Sequence, residues 1–150
     1  MRVMALDYGD VRTGVAVSDA GGMLVGYTAV LQGRDRDQVA EQAARVARER
    51  GVEAIVVGLP RNMDGTEGAR AQLCREFAGL MEENTGLPVA LWDERRTTVE
   101  AHQILHATGK RMKQHKRNVD AVAASLILEG YLARIRQGDF RDGQAGEGRI

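Results

Sequence analysis

Asp7, Glu94 and Asp120 each stand where an apolar pattern ends or begins, the places where a fold can gather acids for chemistry. Asp7 closes the run Val3 to Leu6, Glu94 follows Asp93 after the run Val89 to Trp92, and Asp120 opens the last helical pattern. Taken singly, each has a duller role. Asp7 could accept hydrogen bonds from a glycine turn, Glu94 could pair at the surface with Arg95 or Arg96, and Asp120 would be favourable beside a helix dipole. Taken together they would repel one another unless cations lay between them. Mg²⁺ or Mn²⁺ suits such a site, because these ions take oxygen ligands from a few carboxylates and complete the shell with water and phosphate oxygens. A basic block lies just upstream of Asp120: from Arg95 to Asn118 there are seven Lys or Arg residues against one acid, Glu100. Carboxylates for a metal and cations for phosphate form the combination that phosphodiester cleavage requires.

The elements that must position these groups follow from periodicity. Met1 to Asp19 predicts a β-hairpin: an apolar run ending at Asp7, a turn bracketed by Gly9 and Gly14, and a return run Val15 to Val17. Alternation along the strand puts Asp7 on the face of Val3 and Ala5, at the edge of a buried surface. A third strand is expected over Met23 to Leu31, and a helix from Asp37 with Val39, Ala43, Val46 and Ala47 inward. Ala54 to Val57, β-branched and unbroken, reads as a parallel strand covered on both faces and ends at Gly58-Leu59-Pro60. After the polar loop Arg61 to Gly68, a second helix carries Ala69, Leu73, Phe77, Leu80 and Met81 on one stripe and stops at Gly86. Val89 to Trp92 is the fifth strand. Thr97 and Thr98, with Glu100 following, resemble a capping box for a helix through Leu105. Lys110 to Arg117 lacks apolar periodicity and reads as an exposed loop, and a final helix runs from Val119 through Ile135. The order is that of an α/β three-layer fold with a mixed five-stranded sheet and helices on both faces. In such sheets chemistry collects at the carboxyl ends of parallel strands, where Asp7 and Glu94 fall, and a helix across that edge could bring Asp120 alongside.

Bulk properties bound the rest. A chain of 150 residues is expected to form one domain, residues 1–136, followed by a glycine-rich and disordered tail, residues 137–150. Zero net charge conceals the basic block, which fits either a solvated face or phosphate binding. No apolar run reaches the roughly 20 residues of a membrane span, and the amino terminus enters a strand directly, so a cytoplasmic protein is expected. The single cysteine, Cys74, rules out an internal disulfide and reads as a buried thiol. His102, His106 and His115 have no metal-ligand spacing.

The segments DYGDVRTGVAVSD, VVGLPRNMDGTEG, WDERRTT and VDAVAA, in that order from the amino terminus to about Tyr131, resemble the YqgF (RuvX) family of RNase H-like nucleases. The resemblance implies an RNase H-like fold and a metal-dependent endonuclease whose acids fall on Asp7, Glu94 and Asp120. It implies a role in maturing the 5′ end of 16S ribosomal RNA precursors or, for some members, in resolving Holliday junctions. Related resolvases place an acid after the fourth strand, where this chain has Gly58-Leu59-Pro60. Nucleic acid is then the partner, contacted by Arg12, Arg95, Thr97, Thr98, Lys110, Arg111, Lys113, Lys116 and Arg117; no membrane is involved. A resolvase cutting two strands symmetrically would work as a homodimer. Two rivals come from other classes. D-x-G in a first hairpin also occurs in actin-like and sugar-kinase-like ATPases, but those need a second lobe; a non-catalytic ribosome-assembly factor would bind RNA through the basic block alone.

Neutralising Lys113, Lys116 and Arg117 together is expected to weaken nucleic-acid binding similarly for all sequences and to flatten its salt dependence. Binding titrations across a salt series check this.

Overall fold

The computed structural model describes residues 1–96 and 119–136. The strands are β1 (Val3–Asp7), β2 (Arg12–Ser18), β3 (Val25–Gln32), β4 (Ala54–Leu59) and β5 (Val89–Asp93). The helices are α1 (Arg36–Glu49), α2 (Ala69–Thr85) and α3 (Val119–Arg136), and a short 3₁₀ turn, Glu94–Arg96, leaves β5. The sheet has the order β3-β2-β1-β4-β5, with β1–β2 and β2–β3 antiparallel and β1–β4 and β4–β5 parallel. The expected mixed five-stranded sheet is therefore present, with α1 and α2 on one face and α3 on the other. The expected helix from Thr98, the loop Lys110 to Arg117 and the tail from residue 137 lie outside the described residues.

Strand alternation divides the interior into two cores. Met4, Leu6, Val15, Val17, Ile55, Val57, Leu59 and Leu91 face α1 and α2. Val3, Ala5, Ala16, Ala54, Val56 and Trp92 face α3, where they meet Ala124, Ile127, Leu128 and Leu132. A strand covered on both sides has no polar face, which is why β4 reads Ala-Ile-Val-Val-Gly-Leu and is buried throughout. The edge strand β3, by contrast, is only half covered.

A strand start and a helix face differ from the sequence pattern. The third strand begins at Val25 rather than Met23. Asp19 holds the turn before it: its side chain accepts the Met23 amide at 2.9 Å, its carbonyl the Gly22 amide, and its own amide donates to the Leu24 carbonyl. Met23 and Leu24 are left exposed on that turn. On α2 the buried stripe is Ala71, Cys74, Phe77, Ala78 and Met81, not one running through Ala69 and Leu73. The small residues Ala71 and Ala78 let the helix approach closely, so the inward face turns toward them.

The glycine expected to stop α2 is in place, and α1 has an N-cap that the sequence pattern did not mark. Asp35 caps α1 by accepting the Asp37 amide, and Gly86 closes α2 with a left-handed φ of 70°, its amide on the Glu82 carbonyl. Cys74 is buried, and desolvation pushes its thiol up to about 11, so it is inert. Among the described residues, no helix is long and apolar enough to cross a membrane.

Phe77 links this core to the functional edge: it is fully buried and stacks on Tyr8, the residue after Asp7, with ring centroids 4.3 Å apart. Phe77→Ala is expected to cost about 3–5 kcal/mol of stability, read from the urea unfolding midpoint.

Candidate active site at the carboxyl edge of the sheet

The two-face alternation decides where each acid points. Asp7 continues the α3-facing series Val3, Ala5; Glu94 continues the series from Trp92 on β5. Between them runs β4, whose α3-facing position at this level is Gly58. A β-carbon at Gly58 would lie 3.1 Å from the Glu94 carboxyl carbon and 2.6 Å from Cδ1 of Ile127 on α3. The neighbour of Asp7 on the other side, its β2 partner, is also a glycine, Gly14. Asp7 thus sits in a trough with no side chain from either adjacent strand, and Glu94 folds into that trough over Gly58. At the end of the fourth strand this chain therefore leaves a space, which the acid that follows β5 fills.

Burial, together with the charge of Asp7 and to a smaller degree that of Asp93, pushes the Glu94 carboxyl up to about 7; Arg70 opposes this. Asp93, next in sequence, goes the other way. Its carboxyl is held below the usual range by hydrogen bonds from Arg95, and it faces the opposite side of the sheet, level with Leu59. Adjacent acids therefore have opposite character, set by the face each occupies.

The turn between β1 and β2 supports the trough. The Gly9 amide donates to Thr13 Oγ1 at 3.3 Å, and a β-carbon at Gly9 would lie 2.1 Å from the Arg12 carbonyl oxygen, so only glycine closes this turn. Arg12, the first residue of β2, is exposed at the same edge. Arg70, on the first turn of α2, donates to the Tyr8 carbonyl and, at 2.6 Å, to Asp10.

Of the acids expected from the sequence, Asp7 and Glu94 are brought together. Asp120 is the second residue of α3, the helix whose Ala124 and Ile127 cover the trough. Its side chain is not among those described, and among the described residues no group of three or more His, Cys, Asp or Glu gathers at metal-binding distance. Arg95, one of the two cations expected as surface partners of Glu94, bonds to Asp93. Thr97, Thr98, Lys110, Arg111, Lys113, Lys116 and Arg117 lie outside the described residues. Sequence reasoning missed Gly58, Arg70 and Asp93. Gly58 was visible as a glycine in a β-branched strand, a sign of close approach; nothing marked Arg70.

A cleft of about 530 Å³ opens at the opposite edge, lined by Arg2, Asp19, Tyr27, Arg48 and Arg50 among others. Two of its arginines are held by the fold: Arg2 donates to the Arg50 carbonyl at 2.9 Å, and Arg50 lies 3.5 Å over the Tyr27 ring.

An acid whose folded pKa is raised adds stability below its unfolded pKa and loses it as pH rises through the folded value. For Glu94 that window runs from its ordinary 4.5 to about 7. Glu94→Gln is therefore expected to match wild type at pH 4 and to be more stable at pH 8, by at most about 3 kcal/mol, in metal-free urea denaturation.

Comparison with known proteins agrees with this geometry. A family model described as "RuvX: Holliday junction resolvase" matches residues 1–134. A protein of Lachnospira eligens named "Putative pre-16S rRNA nuclease" is 43% identical over 135 residues, covering 88% of this chain and 96% of its own. One of the same name from Rhodospirillum centenum is 40% identical over 147 residues, covering 95% and 78%. Thermus thermophilus RuvC bound to a Holliday junction substrate superposes with a TM-score of 0.62 at 14% identity, over 90% of this chain and 96% of that one. A fowlpox virus resolvase with its Holliday junction DNA gives 0.58 at 8% identity, over 90% and 99%. These two likenesses show the resolvase-type, RNase H-like fold. With nearly the whole described chain inside one family model and relatives above 40% identity, the chain belongs to the RuvX (YqgF) family.

Proposed function

We propose that the protein is a metal-dependent endonuclease that acts on structured RNA, processing the 5′ end of the pre-16S ribosomal RNA. The observation that carries this reading is the Asp7–Glu94 pair facing the same glycine-lined trough at the carboxyl edge of the sheet. The relatives' shared name supports the choice of substrate.

The trough fits a divalent cation on its own chemistry. It offers hard carboxylate oxygens, its flanking glycines leave room, and a cation would offset the repulsion between Asp7 and Glu94 when both are ionised. Mg²⁺ or Mn²⁺ would be held by Asp7 and Glu94 with Asp120 as third ligand, and would supply an activated water and charge stabilisation for the leaving oxygen. Glu94, whose carboxyl is pushed up to about 7, would have to give up its proton to serve as a ligand, so metal affinity would rise with pH. Arg12, exposed at this edge, binds backbone phosphate; Thr97, Thr98 and the Lys110 to Arg117 block extend that contact, which orients the strand without reading its sequence. The carboxylates need no further acid or base role.

The description of the matching family favours a second reading, cleavage of four-way DNA junctions. The same trough serves either, because both reactions are hydrolysis of a phosphodiester.

The test is cleavage by the full chain of labelled precursor small-subunit RNA and of a four-way DNA junction, each with Mg²⁺, Mn²⁺ or EDTA. Precursor RNA is expected to be cut, and the activity to vanish with EDTA and with Asp7→Asn while binding stays near wild type. Undiminished cleavage by Asp7→Asn would remove the metal assignment. Binding without metal-dependent cleavage of either substrate would leave the assembly-factor reading.

A further inference from the structure

We propose that Asp93 is a positioning residue for the reaction: by clamping Arg95 it turns the chain out of β5, delivers Glu94 over Gly58, and ties the loop 60–68 after β4 to the same turn. The inference rests on Glu94 being a metal ligand.

The geometry is that of a lock. Asp93 is buried, 8% exposed, and faces away from Asp7, so it is not itself part of the acid pair. Its Oδ1 accepts the Arg95 amide at 3.0 Å, which bends the backbone into the 3₁₀ turn at Glu94. The same carboxylate then grips the Arg95 guanidinium: Nε lies 3.1 and 3.0 Å from its two oxygens and Nη2 lies 2.6 Å from Oδ2. Fork-to-fork bonding of this kind fixes orientation as well as energy, and lysine could not reproduce it. Glu94 lies between the two locked residues, so fixing 93 and 95 leaves its backbone little freedom.

The lock extends to the loop after β4. Arg95 Nη1 reaches the Met63 carbonyl at 3.4 Å, and Arg61 Nη1 lies 3.9 Å from Asp93 Oδ2. Arg61 also pairs at 3.2 Å with Glu67, which Arg75 of α2 holds through two bonds of 2.7 Å. The loop, with Met63 90% exposed at its tip, is thereby joined to the Glu94 turn and to α2. It follows that Arg95 acts through Asp93 rather than as a phosphate contact.

The test is a double-mutant cycle in the full chain with Asp93→Ala, Arg95→Ala and the pair, and Asp93→Asn as conservative variant. Three quantities are read: Mn²⁺ affinity by electron paramagnetic resonance titration, kcat and KM on whichever substrate wild type cleaves, and the thermal transition. Asp93→Ala and Arg95→Ala are each expected to weaken Mn²⁺ binding and lower kcat about tenfold or more, with KM within about twofold. The double variant should be no worse than either, and Asp93→Asn, which keeps an acceptor for the Arg95 amide, should fall between. A cooperative thermal transition in Asp93→Asn, alongside its reduced Mn²⁺ affinity, separates positioning from loss of fold.

Wild-type Mn²⁺ affinity in Asp93→Ala, or losses that multiply in the double variant, would overturn the lock. So would Arg95→Ala raising KM and flattening the salt dependence at unchanged kcat, since Arg95 would then touch phosphate. Wild type that binds Mn²⁺ yet cleaves neither substrate would overturn the nuclease reading alone, with the affinity arm still deciding the lock. Wild type that binds no Mn²⁺ would overturn both.

Discussion

Two negative side chains facing one partly desolvated trough are costly, and much of this molecule's functional edge is arranged around that cost. Asp7 and Glu94 arrive from β1 and β5, separated by the width of β4, roughly 10 Å between backbones. An ordinary residue at position 58 would keep them apart; glycine lets Glu94 fold inward, and burial beside Asp7 then raises its affinity for a proton. Arg70 is a cation that bears on Glu94, and its bonds to Tyr8 and Asp10 fix it at the rim.

The supporting structure answers a different demand, since the acids can only be held in place by something that does not itself move. β1 and β4 are buried on both faces, so side-chain alternation is enforced from two directions: a one-residue slip would exchange the two cores. Register is therefore strongly specified where the acids depend on it. The Phe77–Tyr8 stack extends that rigidity from α2 to the residue beside Asp7. Small residues do the remaining work: Ala71 and Ala78 bring α2 against the sheet, and Ala124 does the same for α3.

Asp93 and Glu94 show how one strand end can give two acids different tasks. Alternation sends Asp93 to the α2 side, where arginines hold it ionised, and Glu94 to the α3 side, where desolvation and a like charge favour the proton. The glycine at the end of β4 and the acid beyond β5 are complementary parts of one arrangement.

The sequence by itself determined the order of strands and helices, the mixed sheet, the family, and the identity of Asp7 and Glu94 as acids at strand ends. These are local: periodicities of two and of about 3.6, glycine turns and contiguous motifs need no knowledge of what lies across the fold. What tertiary structure decided is pairwise and distant in sequence. That Gly58 clears the way for Glu94, that Arg70 reaches Tyr8 from 62 residues away, and that Arg95 joins Met63 to the β5 turn all depend on which strands become neighbours. The buried face of α2 was misplaced for the same reason. Its pattern admitted two stripes, and only the closeness of the sheet selected the one with alanines.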